Sequence, residues 1–325
     1  MNCELTIIGN DKSAFEMADV ATAAGKQTLV VLPEARHSAW MTAQALRHIV
    51  TNLMVDATFA RRQLMKSLAT PKLLKRMVMR ALTEQTYLAI DRLDAIGACV
   101  IPGEARFVSS RELTISTGIN CGQRSVVSDN IVIATGVRHT ATHRPLGLMP
   151  FHRPESLFEG QMLPRTLTIV GGDEPGAGLA ALFSMFGVQT RLLTQDSESN
   201  MVELAEDAGV EVITLATNFE DLADELVKPA SLDVVDFRRE VGFTDHLNLP
   251  CIGVETDENG RLWCNSSLET WTTGVFGIGE VVGFSSEPPA SSFRQASRIL
   301  NRITHRIPRP NFLRSPAAIP RTAGY

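Results

Sequence analysis

Short apolar runs closed by a glycine alternate along this chain with stretches whose apolar residues recur every three or four positions. Residues 4–8 read as a buried strand ending at Gly9, residues 14–24 as an amphipathic helix closed by Gly25, and Thr28–Leu32 as a second strand. That is one βαβ unit. A second starts at Thr166–Val170, turns at Gly171, continues as a helix over 176–186 closed by Gly187, and returns as a strand over 190–193. Strands over 210–215 and 232–237 follow, then a third glycine-ended strand over 275–279 and a helix over 291–303.

Between the units the periodicity changes twice. Residues 39–96 carry a helical pattern interrupted near Pro71, with Leu73, Leu74, Met77, Val78, Ala81 and Leu82 at helical spacing. Short strands are predicted next, at 99–101, 106–108, 113–115 and 130–133, the last closed by Ala134-Thr135-Gly136. The segment 138–154, rich in His, Arg and Pro, reads as a crossing linker, and no structure is expected of the Pro- and Arg-rich residues 308–325.

Composition narrows the function. The chain has 325 residues, enough for two domains, and its net charge of −5 makes it no natural partner for nucleic acid. No basic leader and no apolar run long enough for a membrane span are read from it. Cys3, Cys99, Cys121, Cys251 and Cys264 form no C-x-x-C or C-x4-C pair, so no redox disulfide is expected and the compartment reading is cytoplasmic. Arg61, Arg62, Lys66, Lys72, Lys75, Arg76 and Arg80 put seven positive charges and no acid into 61–80. Docking to an acidic partner or membrane surface is one reading; the plainer one is the solvated outer face of a packed helix pair, because long basic side chains snorkel.

Three strand-to-glycine-to-helix turns are read, at Gly9, Gly171 and Gly279. A helix start exposes free N–H groups and a positive dipole end, and glycine lets a pyrophosphate approach the backbone. The order of these elements resembles the pyridine nucleotide–disulfide oxidoreductase family, with the soluble pyridine nucleotide transhydrogenases as the nearest branch. The resemblance runs from Glu4 to about Ile303 and shows in Ala45-Leu46-Arg47-His48, in 103–108 and 131–136, and in 252–257 and 275–283. It implies an α/β fold of two Rossmann-like, three-layer domains, FAD-binding and NAD(P)-binding. The FAD-type domain is discontinuous, residues 1–152 plus 271–325 with a helical excursion at 39–96, and the NAD(P)-type domain is 153–270. It also implies FAD at Gly9, Ala14, Gly136, Gly279 and Glu280, with Glu280 reaching a ribityl hydroxyl, and NAD(H) or NADP(H) at Gly171, Gly172 and Gly176. Hydride passing from nicotinamide to flavin is the implied activity, and it requires no amino-acid acid or base.

The chain departs from that pattern at informative positions. Asp11 and Asp173 stand where G-x-G-x-x-G/A wants its second glycine. A like charge at 4 Å from a phosphate costs about 4 kcal/mol at an effective dielectric near 20, roughly a thousandfold in affinity. Lys12 offsets part of this in the first loop. The acid expected for the adenosine ribose falls on Leu32, with Glu34 as a substitute; in the second unit Thr194, Gln195 and Asp196 follow the strand, with no nearby arginine, so NAD is preferred to NADP. The stretch Pro33 to Gln44 has neither the family's glycine-rich insertion nor its cysteines. The family's lysine and glutamate beside the flavin are replaced by Gln44 and Gly178, and the family's homodimerisation domain is expected to be absent.

Bland explanations compete. Ser13 and Glu16 fit a capping box, Pro175 is an ordinary first-turn proline, and Asn259-Gly260 is a hairpin turn. His139, His143 and His152 have no metal-ligand spacing, and Asp245-His246 lacks a nucleophile. The expected function is FAD/NAD(P)-dependent hydride transfer of transhydrogenase-like type. The alternative is a catalytically inactive relative serving as scaffold or nucleotide sensor.

Overall fold

A computed structural model describes residues 1–55, 59–118, 122–140, 151–152, 154–171, 173–195, 199–215, 233–284 and 291–305. The first unit forms as the apolar pattern requires: β1 (Asn2–Ile8), α1 (Lys12–Ala23) and β2 (Thr28–Leu32), with β2 parallel to β1. The helical excursion is three helices, α2 (Ala39–Val55), α3 (Phe59–Leu68) and α4 (Pro71–Ala95). Thr70 caps α4 by accepting from the Leu73 N–H, and Pro71 takes the first turn, where it loses no hydrogen bond. Lys66, Lys72, Lys75, Arg76 and Arg80 are exposed, as a solvated face requires; the side chains of Arg61 and Arg62 lie outside the described residues.

Strand β3 (Cys99–Pro102) extends the parallel sheet beyond β2. β4 (Glu104–Ser109), β5 (Glu112–Thr117) and β6 (Gly122–Ile133) form an antiparallel meander, and the far half of β6 returns parallel to β1. Alternation then sorts the side chains: Leu5, Ile7, Val30 and Leu32 face the helices, while Ile8, Leu29 and Val31 face a second core with Phe107, Leu113 and Ile115, which Cys3 also joins at the start of β1.

Residues 138–140, the start of the segment read as linker, belong to β7 (Val137–Thr140). The second sheet contains β8 (Phe151–His152), β9 (Thr166–Val170), β10 (Gln189–Thr194), β11 (Glu211–Thr214) and β12 (Val234–Asp236), in the spatial order β11-β10-β9-β12-β8, all parallel. Helices α5 (Asp173–Met185) and α6 (Asn200–Asp207) complete it. Residues 151–152, expected at the end of the first domain, therefore pair in the second sheet.

The chain then pairs again with the first unit. β13 (Arg239–Gly242) pairs antiparallel with β7, and Leu247, Leu249, Ile252, Val254, Leu262 and Cys264 join the meander core. β14 (Leu262–Trp263) pairs with β16 (Val282–Phe284), and β15 (Val275–Gly277) lies parallel to β6, completing the first sheet. α7 (Ser292–Thr304) packs on α1. Among the described residues no helix is long and apolar enough to cross a membrane.

Candidate functional site

In an open α/β sheet, ligands sit beyond the carboxyl ends of the strands, where the strand order reverses. In the first sheet that place lies between β1 and β6, and there Gly9 packs on Ala134 and Thr135 while Gly136 and Gly279 pack on Asp11 and Ser13; Ala14 and Glu280 adjoin these residues in sequence. Gly9 has φ +138°, and a side chain on it would collide with the Ala134 carbonyl oxygen. Gly136 and Gly279 have φ +66° and +78° and close over the start of α1. At the third turn Gly279 does not lead directly into a helix but opens a single 3-10 turn, Gly279–Val281, and β16; α7 starts at Ser292, where the pattern over 291–303 places it.

The space under these glycines is filled by the chain itself. Asp11 is the N-cap of α1 and only 4% exposed. Its carboxylate accepts the Ser13 N–H at 3.2 Å and the Ser13 hydroxyl at 2.8 Å. A methyl group on Gly136 would stand 2.8 Å from Asp11 Cγ, and one on Gly279 would strike the Ser13 hydroxyl. The Gly279 N–H donates to Gln295 Oε1 at 2.8 Å. Burial pushes the Asp11 carboxyl above its ordinary value against the opposing pull of the Ser13 hydrogen bonds.

Two sequence readings are corrected here. The cap is Asp11 rather than Ser13, because the aspartate reaches the orphan N–H groups from one residue before the helix. Glu16 sits 3.8 Å from Lys12 Nζ instead of closing a capping box, so Lys12 faces Glu16 and solvent.

A strap closes the loop from above. Asn10 Nδ2 donates to the Arg36 carbonyl at 2.9 Å, and the Ser38 N–H donates to Asn10 Oδ1 at 3.0 Å. Asn10, Asp11, Ser13, Ser38 and Thr135 are all buried. Glu34, the substitute for a ribose-binding acid, accepts the Gly118 N–H at 3.1 Å. A pyrophosphate in the position the resemblance implies does not fit the first loop as folded, because Asp11 and Ser13 occupy its place.

The second loop is built differently. Gly171 has φ +72°, and Gly176 packs on its carbonyl so closely that no side chain fits between them. Arg238, unnoticed in the sequence, covers Gly171; its Cγ stands 3.1 Å from where a methyl group on Gly171 would lie. Its guanidinium forks onto the buried Asp236 at 3.0 and 2.8 Å. Gly171, Gly176 and a cation beside them suit a nucleotide phosphate. Gly172 and the Asp173 side chain lie outside the described residues.

Where the family sets a lysine and a glutamate, helices α2 and α5 press together. A Cβ on Gly178 would be 2.8 Å from Leu46 Cβ, so the position has no room for a glutamate. Arg47 instead pairs with Glu174 at 2.6 Å. Beside this contact lies a cavity of about 480 Å³ between the two units, walled by Leu46, Val78, Leu82, Phe158, Leu179 and Phe237 and edged by Arg36, His37, Arg138 and His139. His139 Nδ1 donates to the Phe237 carbonyl at 2.7 Å, a structural role rather than metal ligation. Among the described residues no group of three or more His, Cys, Asp or Glu is placed for a metal; His143 lies outside them, as does the His152 side chain.

Comparison with known proteins agrees with this architecture. The soluble pyridine nucleotide transhydrogenase of Mycobacterium bovis is 24% identical over 212 residues, covering 57% of this chain and 44% of the relative. That of Vibrio vulnificus is 26% identical over 335 residues, covering 93% and 70%. The chain thus spans less than half the length of the mycobacterial relatives it matches. Among solved structures, the HOCl-induced flavoprotein disulfide reductase RclA of Escherichia coli, in a Cu(II) complex, shares the fold at a TM-score of 0.57 and 18% identity, over 93% of this chain and 70% of that one. The family model for pyridine nucleotide-disulphide oxidoreductases matches residues 3–301, so this chain belongs to that family, whose fold implies FAD and NAD(P)H as cofactors.

Proposed function

We propose that this chain is a nucleotide-responsive member of the family rather than an efficient hydride-transfer catalyst. One observation carries the reading: the buried Asp11 carboxylate occupies the first phosphate cradle, held by Ser13 and enclosed by Gly136 and Gly279. FAD enters this loop only by displacing Asp11 from the helix start and breaking the Asn10–Ser38 strap. The Leu46–Gly178 contact, which leaves no space for the family's charged pair, supports the same reading. At the second loop Gly171, Gly176 and Arg238 are the residues that would hold the phosphates of NAD(H) or NADP(H), with Gly172 between them in sequence. The domain division that goes with this reading is 1–140 plus 237–305 for the first unit and 151–236 for the second, supported by the β7–β13 pairing and the shared core.

The test is the visible spectrum of the purified protein, followed by titration with FAD. The expected result is a colourless protein with weak flavin uptake, and a gain in uptake of tenfold or more in Asp11→Gly, the direction set by removing about 4 kcal/mol of like-charge repulsion. Stoichiometric flavin in the wild type, reduced by NADH, would establish the other reading instead: transhydrogenase-like hydride transfer without a redox disulfide. That second reading draws on the cavity between the two units.

A further inference from the structure

Solvation accounts for the cations of α3 and α4 but not for the leucines beside them. On α4, Lys72, Lys75, Arg76, Met79 and Arg80 recur at the spacing of one helix face, all exposed, opposite the buried Leu74 and Ala81. Glu84 takes Arg80 at 2.8 Å, and the other acids of α4, Asp91 and Asp94, lie toward its far end. Among the described residues Lys72, Lys75 and Arg76 meet no hydrogen-bond or ion-pair partner; Lys75 and Met79 also line the cavity between the units. Helix α3 is ten residues long, and each of its side chains that the structure describes is exposed, Leu64 by 57% and Leu68 by 60%. The Lys66 stem lies against the Gly187 end of α5, its Cγ and Cδ 3.4 Å from where a methyl group there would stand. Leu64 and Leu68 flank Lys66 at two positions on either side, about 160° around the helix from it, so they point away from the body of the protein. Only Ala69 and Thr70 separate the two helices, which keeps Leu68 within about 14 Å of Lys72. A helix this short draws its stability from packing an apolar face, yet this one turns two leucines outward.

We propose that the corner formed by α3 and α4 docks on an anionic lipid bilayer, with Leu64 and Leu68 entering the headgroup layer and Lys72, Arg76 and the neighbouring cations taking acidic headgroups. Charge complementarity commits the surface to an anion: residues 61–80 hold seven cations and no acid in a chain whose net charge is −5. The outward leucines commit it to an anion with an apolar layer directly beneath, which a bilayer has and a soluble polyanion lacks. The contact is peripheral, since no described helix is long and apolar enough to cross a membrane. This inference goes beyond the closed-cradle reading and stands without it.

The test is sedimentation of the full chain with vesicles of phosphatidylcholine, either alone or with about one-third phosphatidylserine. Binding to the acidic vesicles is expected, about tenfold or more tighter than to phosphatidylcholine alone, and weakening as salt is raised. Lys72→Glu combined with Arg76→Glu should weaken it by about 25-fold or more, each cation near such a surface being worth about fivefold. Leu64→Ser combined with Leu68→Ser should weaken it about tenfold, with the urea midpoint unchanged because both side chains are already exposed. Soluble polyglutamate is the second probe, and weaker binding than to the acidic vesicles is expected. No binding to the acidic vesicles, equal binding to phosphatidylcholine alone, or full binding by the leucine variant would each overturn the proposal. Polyglutamate binding as tight as that of the acidic vesicles would assign the face to an acidic protein and overturn the bilayer. Flavin is read separately by absorbance. A yellow wild-type protein that binds the acidic vesicles overturns the closed cradle alone; a colourless one that does not bind them overturns the lipid surface alone.

Discussion

Leu46 on α2 and Gly178 on α5 pack backbone to side chain: a Cβ on Gly178 would stand 2.8 Å from Leu46 Cβ and 3.2 Å from Met201 Cε. This contact joins the helical excursion of the first unit to the second. Gly178→Ala should therefore destabilise the protein by about 1–3 kcal/mol, the cost of overpacking a filled core. The added Leu46→Gly change should relieve part of the clash, because it removes the opposing Cβ. Equilibrium urea unfolding of the wild type and the two variants measures this; a neutral Gly178→Ala would show that the helices separate freely.

Asp11 makes a prediction of definite sign. Burial raises its carboxyl above the ordinary value of 3.8. A group with a raised folded pKa binds its proton more tightly in the fold, so the stability it contributes is full in acid and is lost as pH rises through the folded pKa. Asp11→Asn keeps an equally good cap and removes the titration. The variant should gain on the wild type as pH climbs from below 4 to 7. Parallel denaturation curves at both ends of that range decide it, and a gap independent of pH would refute it.

His246 works in the opposite direction. Its pKa is lowered to about 4, first by burial and next by the Arg36 charge, with Arg138 adding to this and Asp245 opposing it. The ring is only 8% exposed and lies edge-on to Phe243 at 5.2 Å. In the unfolded chain histidine protonates near 6.5, so the fold loses stability on acidification between pH 6.5 and 4. His246→Phe, which keeps an aromatic ring, should lose less stability over that window, by on the order of 3 kcal/mol. Thermal unfolding across the window tests this.

Asp236 is fully buried and forked by Arg238, whose side chain is 17% exposed. Asp236→Ala leaves a largely buried guanidinium without that partner and should cost about 3–5 kcal/mol. Replacing both by leucine should cost less than the single change, because no charge is then stranded. A double-mutant cycle in urea measures the coupling between them.

These particulars show what the sequence discloses. The glycine-closed runs at 4–9 and 166–171 are legible because apolar period and turn residue coincide, and both become parallel strands. β7 was hidden because Val137-Arg138-His139-Thr140 has no apolar alternation; it is a strand through backbone pairing with β13. Residues 247–264 were assigned to the second unit because their apolar side chains follow no period. Leu249 and Ile252 reach the meander core from a single 3-10 turn, Leu262 from the two-residue β14, and Leu247 and Val254 from the irregular stretches beside them. At the site, Asp11 was legible as an intruder beside a phosphate, but its role as a cap enclosed by Gly136 and Gly279 depends on strands far away in sequence. Arg238 was missed because nothing local to β12 reports that its side chain turns back over Gly171.

The last strand of the first sheet sets an order of events during synthesis. β15 pairs along Ile131–Ile133 of β6. Ribosomes add about 5–20 residues per second, so the roughly 140 residues between these strands delay that pairing by several seconds to half a minute. Until β15 emerges, the inner edge of β6 offers unpaired N–H and C=O groups beside an apolar face, the kind of edge on which chains aggregate. The second sheet closes with β12, before that point, so the unit that begins later in the chain is the first able to finish folding.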